Sequence, residues 1–388
     1  KELAPAKTDT AYDRELDMLA ATGEQASSAL LAIALQSEGM QSVSYAGWQV
    51  PIKTNSAFTK ARIESIDDAR VRQDLAAGRV VIVTGFQGVD PEGNVTTLGR
   101  GGSDTSAVAV AAGMTYAALG TDTAGSVRIP AATCGLMGLK TTHGAISNLG
   151  CAPLAPSLDS VGILSRFPQD AREIWAALCP QMPRLLAQQP VNCQLWMPEK
   201  GVSPLVAQAV RNWTLQLNAT VREINMDESF EVLNRHAQRV LFYETAQTHL
   251  ATLKEGTAEP SVQSIGLLGL GLPQSWYEES MQSRSILLQD FVNQHFGKAD
   301  FLIMPSLADT VPDWQTVEIG LPTFDRAALF AMHRYMGFVN YLGLPSLNLP
   351  IGRDERGRAI CVQVLARPFA EHQLLNFAEQ SPFVFWNL

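Results

Sequence analysis

The chain has 388 residues, 46% hydrophobic and 17% charged, enough to bury one large core or two smaller ones. A formal net charge of −9 excludes the basic footprint that nucleic acid or an anionic membrane selects, so a small molecule is the expected partner, with a homodimer as the expected assembly. No run reaches the ~18 consecutive apolar residues of a membrane helix, and no signal-peptide core opens the chain, so the expected location is cytoplasmic.

In chain order, Glu15 to Gln36 reads as a helix broken at Thr22-Gly23-Glu24, with Leu30, Leu31, Ile33, Ala34 and Leu35 as its buried side. Ser42–Ala46 and Val50–Thr54 read as short strands around Gly47-Trp48. A charged helix runs from Asp67-Asp68 to Gly78, and Val80–Val83 follows as a buried strand. Gly88 to Val95 has hairpin character. Beyond residue 159 the pattern predicts helices over 168–178 and 204–217 and strands over 194–197 and 221–224. Long helices over 230–253 and 276–296 are separated by the Gly-Leu-rich 265–272. Phe301–Pro305, Phe338–Pro350 and the stretch from Cys361 read as core elements. The whole predicts an α/β fold with one mixed sheet flanked by helices, completed by the first hundred residues.

The five cysteines, Cys134, Cys151, Cys179, Cys193 and Cys361, have neither CxxC nor zinc spacing, and their odd number suits buried free thiols. His236, His249, His295 and His333 have no ligand or triad spacing. No metal or cofactor is expected.

The stretch from Gly101 to Asp159 carries the chemistry. It has two tight glycine-flanked turns, Gly101-Gly102-Ser103 and Asp122-Thr123-Ala124-Gly125-Ser126, whose serines lie 23 positions apart. The second turn opens a helix-compatible run from Ser126 to Cys134, so backbone N–H groups can point past the Ser126 hydroxyl as an oxyanion hole. A lone serine there is usually only a helix cap, and a lone Gly-Gly-Ser only a loop.

The combination GGSDTS, GTDTAGSVRIPAATCGLMGLKTTHGAIS and PLAPSLDSVG resembles the amidase signature family of serine hydrolases over about residues 101–388. That resemblance implies hydrolysis of C–N bonds by a Ser–cis-Ser–Lys triad through an acyl-enzyme. Ser126 matches the nucleophile, Ser103 the cis-serine after Gly102, and the backbone of Thr123, Ala124, Gly125 and Ser126 the oxyanion hole. Thr121, Asp122 and Arg128 fall in supporting positions. Two departures stand out: the first serine loop is one residue short, and Ala124 replaces a glycine, which matters only if φ is positive there.

The first 112 residues resemble something else. RELDMLAATGEQ, GWQVPIKTNSAFTKARI, GFQGVD and TLGRGGSDT are similar to the middle of an aspartokinase catalytic domain. Thr22, Glu24, Arg100, Ser103 and Asp104 match that family's aspartate-side residues, whereas its phosphate-binding strand and nucleotide segment have no counterpart, which argues against kinase activity. The implied organisation is a fusion, with an aspartokinase-like fragment over 1–112, an amidase domain over 113–388, and a shared junction at 101–112. The triad lysine normally stands on a strand like VAIKDN. Here Val50-Pro-Ile-Lys53-Thr-Asn55 offers Lys53 as the base, or simply a solvated lysine. The remaining readings are a catalytically impaired amidase scaffold or an aspartate-binding remnant.

Overall fold

The computed structural model describes residues 10–37, 39–58, 61, 63–98, 102–113, 115–182, 191–258, 260–318 and 321–384, without the side chains of 10, 11, 102–105 and 260. The chain divides into two compact units, Lys1–Ser106 and Ala107–Leu388.

In the first unit, α1 (Thr10–Ser37) is followed by β1 (Ser42–Tyr45), β2 (Ile52–Thr54), β3 (Ile63–Ile66), α2 (Ala69–Ala76), β4 (Val80–Val83), β5 (Gln87–Val89) and β6 (Val95–Thr97). β1 and β4 pair in parallel as a sheet of their own, and β3-β2-β5-β6 form another. The expectation that these residues complete the larger sheet is therefore incorrect: every described strand before residue 98 finds its partner locally. The expected break at Thr22–Glu24 is also absent. Gly23 sits inside a continuous helix, where it costs about 1 kcal/mol relative to alanine, a penalty that packing overrides.

The buried side of α1 is not the predicted one. Asp17, Ala21, Ser28 and Ala32 face inward, while Leu30 and Ile33 stand 65% and 61% exposed. Small residues let the helix approach its sheets closely. Asp17 accepts both the amide and the hydroxyl of Thr97 on β6, and Ser42 Oγ donates to the Ala32 carbonyl at 2.7 Å. By length and composition alone α1 passes as membrane-crossing, with a mean hydropathy of 1.3 over an 18-residue window, which the expectation from consecutive apolar residues did not register. The predicted hairpin forms between β5 and β6, and β4, expected to be buried, is partly exposed.

Of the tight turn predicted at 101–103, Gly102 and Ser103 are instead the first residues of helix α3 (Gly102–Ala111), and Gly101 lies outside the described residues. The second unit continues with β7 (Ala117–Asp122), α4 (Arg128–Cys134), β8 (Met137–Lys140), β9 (Ser160–Ser165), α5 (Pro168–Leu178), β10 (Val191–Trp196), α6 (Pro204–Thr214) and β11 (Ala219–Ile224). Four helices follow: α7 (Asp227–Thr248), α8 (Leu250–Lys254), α9 (Pro260–Leu270) and α10 (Gln274–Phe291), the last running into a π-turn at Val292–Phe296. The Gly-Leu-rich stretch expected to separate two helices thus forms most of a third. Gly269 is why it fits: a Cβ there would lie 1.9 Å from the Phe242 carbonyl oxygen on α7. The chain closes with β12 (Phe301–Pro305), α11 (Trp314–Val317), α12 (Arg326–His333), α13 (Gly337–Leu342), β13 (Ser346–Arg353), β14 (Ala359–Ala366) and α14 (Glu371–Gln380).

Eight of these strands form one mixed sheet in the order β11-β10-β12-β14-β13-β8-β9-β7, parallel at the β11-β10-β12 end and antiparallel elsewhere. Side-chain alternation splits its core in two. Phe301 and Ile303 of β12 face α5, α6 and α14 with Trp175, Val210 and Leu374, while Leu302 and Met304 face α7, α10 and α13 with Phe230, Phe291 and Phe338. The fold is α/β, as expected. Of the cysteines only Cys179, Cys193 and Cys361 are buried; Cys134 is half-buried and Cys151 exposed, and all are free thiols.

Candidate active site

Strand β7 delivers Asp122 to the floor of the site, fully buried. Its carboxylate accepts the amides of Gly125 (2.9 Å), Val127 (3.1 Å) and Arg128 (3.3 Å), capping the start of α4 from inside and folding residues 123–126 into a turn. Arg128, also fully buried, donates Nε (3.0 Å) and Nη2 (2.8 Å) to the same carboxylate. The guanidinium then reaches Gln363 Oε1 at 2.6 Å, Asn340 Oδ1 at 2.5 Å and the Met336 carbonyl at 3.3 Å. Asn340 closes the ring by donating to Asp122 and to the Leu158 carbonyl. Asn340 and Gln363 are thus structural, bridging α13 and β14 to the site turn. Burial alone would raise the Asp122 carboxyl. The Arg128 charge and hydrogen bonds, with help from Lys140 and Asn340, hold it well below the usual carboxylate range.

Backbone geometry explains the glycine pattern. Gly125 has φ +115°, and a Cβ there would meet Met336 Cγ at 2.7 Å and Ile129 Cδ1 at 2.8 Å. Among the described residues only Phe86 and Phe369 combine a side chain with positive φ, so Ala124 carries no such strain. Ser126 is exposed at the tip of the turn. Since the Gly125 amide is committed to Asp122, it drops out of the predicted oxyanion set. Among the described residues no protein acceptor takes the amides of Thr123, Ala124 or Ser126.

Thr123 is buried, and its hydroxyl donates to Asp159 Oδ1 at 2.5 Å. Asp159 also accepts the amides of Leu154 (3.0 Å) and Ala155 (3.3 Å). Burial raises its carboxyl; the Thr123, Leu154 and Ala155 bonds pull it back, and Glu244 pushes it up again. Lys140 on β8 is buried without exposure, and its Nζ donates to the Thr141 carbonyl (2.8 Å) and Ser160 Oγ (3.4 Å). Burial first, then the charge of Arg128, lowers its amine to about 7 against the pull of Asp122 and Glu371. Asp159 and Lys140 lie in the motif stretches Ser-Leu-Asp and Gly-Leu-Lys, but sequence reasoning gave neither a role. The available signal was a charged residue directly after a leucine within a motif stretch, Leu139 before Lys140 and Leu158 before Asp159.

The structure gathers Asp122, Thr123, Ala124, Gly125, Ser126 and Arg128 in one turn, with Thr121 beside them on β7 opposite Val161. Lys53 stands exposed on β2 in the first unit, paired with Ser65 and Val89. Ser103 lies in the first turn of α3, and its side chain falls outside the described residues, as do the side chain of Asp104 and all of Arg100. Thr22 uses its hydroxyl on the Leu19 carbonyl within α1, and Glu24 is exposed on the same helix. Among the described residues no cluster of three His, Cys, Asp or Glu side chains could hold a metal.

The sequence matches the amidase family over residues 97–375, the whole of this site and most of the second unit. The chain belongs to the amidase family. A component of the glutamyl-tRNA(Gln) amidotransferase of Picosynechococcus sp. is 29% identical over 354 aligned positions, covering 79% of this chain and 72% of its own length. A solved amidase superposes with a TM-score of 0.66 at 25% identity over 96% of this chain and 95% of its own. A 6-aminohexanoate cyclic dimer hydrolase does so with 0.61 at 21% over 80% and 76%.

Residues 2–123 also match the amino acid kinase family. Aspartate kinase of Pseudomonas fluorescens is 63% identical over 101 residues, 26% of this chain and 24% of the kinase. Aspartokinase 2 of Bacillus subtilis is 51% identical over 112 residues, 29% and 28%. The chain spans only about a quarter of the length of these kinases. An aspartokinase-like segment and an amidase segment thus follow one another in a fused chain.

Proposed function

We propose that the protein hydrolyses a small amide or amide-like substrate through an acyl-enzyme on Ser126. One observation carries this reading: Asp122 draws the Gly125, Val127 and Arg128 amides inward while the Ser126 hydroxyl stays exposed beside the uncommitted Ala124 and Ser126 amides. In the proposed reaction Ser126 Oγ attacks the carbonyl and those amides stabilise the tetrahedral oxyanion. Collapse expels the amine with a proton, and water then cleaves the acyl ester. The resemblance assigns the proton to Ser103 and then to Lys53, which takes it from the serine and returns it to the leaving amine.

The test is covalent labelling with a fluorophosphonate, read by mass spectrometry on wild type, S126A and K53M. A single adduct on Ser126, absent from S126A, is expected. A folded wild type that stays unlabelled would sink the reading. If Lys53 is the base, K53M hydrolyses an amide about 10²–10⁴ times more slowly, with a smaller loss in labelling.

A second reading, an amidase scaffold impaired by its joined first segment, is favoured by the exposure of Lys53, since the mechanism asks for a buried, uncharged amine. Calorimetry with a panel of amides and with aspartate separates the two: turnover heat supports the enzyme, and binding of aspartate without turnover supports the remnant.

A further inference from the structure

We propose that Asp159 is a positioning residue for the oxyanion turn, acting through the Thr123 hydroxyl; the proposal rests on Ser126 being the acylated residue. Of the side chains in Thr123-Ala124-Gly125-Ser126, only those of Thr123 and Ser126 can make hydrogen bonds, and Ser126 is reserved for chemistry. The Thr123 hydroxyl is therefore the one side-chain tether for the peptide that carries the Ala124 N–H. It ends on a carboxylate at 2.5 Å, within the range of charge-assisted O–H···O⁻ bonds.

The acceptor is itself fixed from several directions. The two carboxylate oxygens also take the Leu154 and Ala155 amides, which pins the 154–159 loop around the group. The Asp159 carbonyl accepts Asn148 Nδ2 at 2.7 Å and lies 3.1 Å from His143 Nδ1. The same loop is held from the helical side, because the Ser157 amide donates to Glu244 Oε2 at 2.9 Å and the Tyr277 hydroxyl to Glu244 Oε1 at 3.0 Å. Asp122 holds the turn from below at residues 125, 127 and 128. Asp159 holds it from the side at residue 123, and the free amides of Ala124 and Ser126 lie between these anchors. A rotation of the Thr123–Ala124 peptide, which Asp122 alone does not prevent, would take the Ala124 N–H off the oxyanion.

The experiment uses the full chain as wild type, T123V, T123S, D159N and the T123V/D159N double variant. Two readouts are taken: fluorophosphonate labelling of Ser126, and amide hydrogen exchange of the 122–127 segment compared with β8. T123V slows labelling roughly ten- to hundredfold, the worth of one hydrogen bond to a charged acceptor, and D159N, whose amide oxygen can still accept the Thr123 hydroxyl without the charge, slows it less. The double variant is no slower than T123V, because both substitutions act on the same bond and T123V already removes it, and T123S loses less than T123V. Exchange at 123–126 speeds up in T123V and D159N while β8 stays protected. Multiplying losses in the double variant, or unchanged exchange at 123–126, would overturn the proposal. An unlabelled wild type would defeat the acylation reading instead, and the exchange measurement would still decide whether Asp159 holds the turn. If D159N does not fold, T123V against T123S carries the same comparison.

Discussion

Replacing Lys140 with methionine tests the electrostatics beneath the site without depending on activity. An amine lowered from 10.5 to about 7 by burial binds its proton more weakly in the folded chain than in the unfolded one. At 1.36 kcal/mol per tenfold change in proton affinity, that burial costs about 5 kcal/mol below pH 7, where both states are protonated. Between pH 7 and 10.5 the unfolded chain holds more protons than the folded one, so the cost falls as pH rises, by about 2 kcal/mol from pH 7 to 9. The groups that set this balance are Arg128 and Arg284, which oppose the charged amine, and Asp122 and Glu371, which favour it.

Methionine keeps the volume and removes the titration, leaving the Thr141 carbonyl and Ser160 hydroxyl without their donor, a loss independent of pH. The stability of K140M relative to wild type should therefore decline by about 2 kcal/mol from pH 7 to 9, whatever its absolute sign. Urea unfolding followed by tryptophan fluorescence measures this, since six of the seven tryptophans lie in residues 107–388. Parallel curves, which would mean that Asp122 and Glu371 hold the amine charged in the folded chain, or a difference that moves the other way, would refute the reasoning.

Gly125→Ala should destabilise the second unit by about 1–3 kcal/mol in urea unfolding, because its Cβ collides with Met336 and Ile129 at a φ that L-residues avoid. Its fluorophosphonate labelling should fall as well. Arg128→Met strands the Asp122 carboxylate, fully buried, together with Asn340 and Gln363, and should cost about 3–5 kcal/mol by the same assay. Asp122→Asn keeps the volume but removes the charge, so it should lower stability most at neutral pH. Its penalty should shrink as acid protonates wild-type Asp122, whose carboxyl is held low by Arg128 once its burial is offset. A penalty that stays constant below about pH 4, where the unfolded carboxyl takes up its proton, would argue against that ion pair.

Elements with strong periodicity were legible in the sequence: α5, α6, β10, β12, the β5–β6 hairpin and the α4 turn all fall where pattern and turn residues put them. The failures share a cause, which is that packing partners were invisible. On α1 the larger residues Leu30 and Ile33 outweighed Ala21, Ser28 and Ala32 in any count of hydrophobicity, yet small residues are what close helix-on-sheet contact selects. Gly266 and Gly269 looked like punctuation, but Gly269 marks where α9 presses against α7 too closely for a side chain. At the site, Ser126 and Arg128 could be named from the motif. That the Gly125 amide turns inward could not, because it depends on an Asp122 carboxylate whose orientation is set by Arg128 and Asn340, and Arg128 is in turn held by Gln363, 235 positions further on.

The two halves of the proposed chemistry therefore stand on different footings. The covalent half is contained within the second unit: Asp122, Arg128, Asn340, Gln363, Thr123 and Asp159 satisfy one another without any residue before Ala107. Their mutual burial makes the turn a property of the eight-stranded sheet. The proton-transfer half is assigned to Ser103 and Lys53, which belong to the first unit, where Lys53 is exposed on a three-residue strand of an aspartokinase-like segment. A fluorophosphonate, which phosphonylates a serine irreversibly, needs less help from a base than an amide does, because the fluoride it expels departs without a proton. Labelling of Ser126 that persists while amide turnover is weak would locate the deficit in the borrowed amine rather than in the turn. Brisk amide turnover that K53M leaves untouched would mean that some other group removes the Ser126 proton.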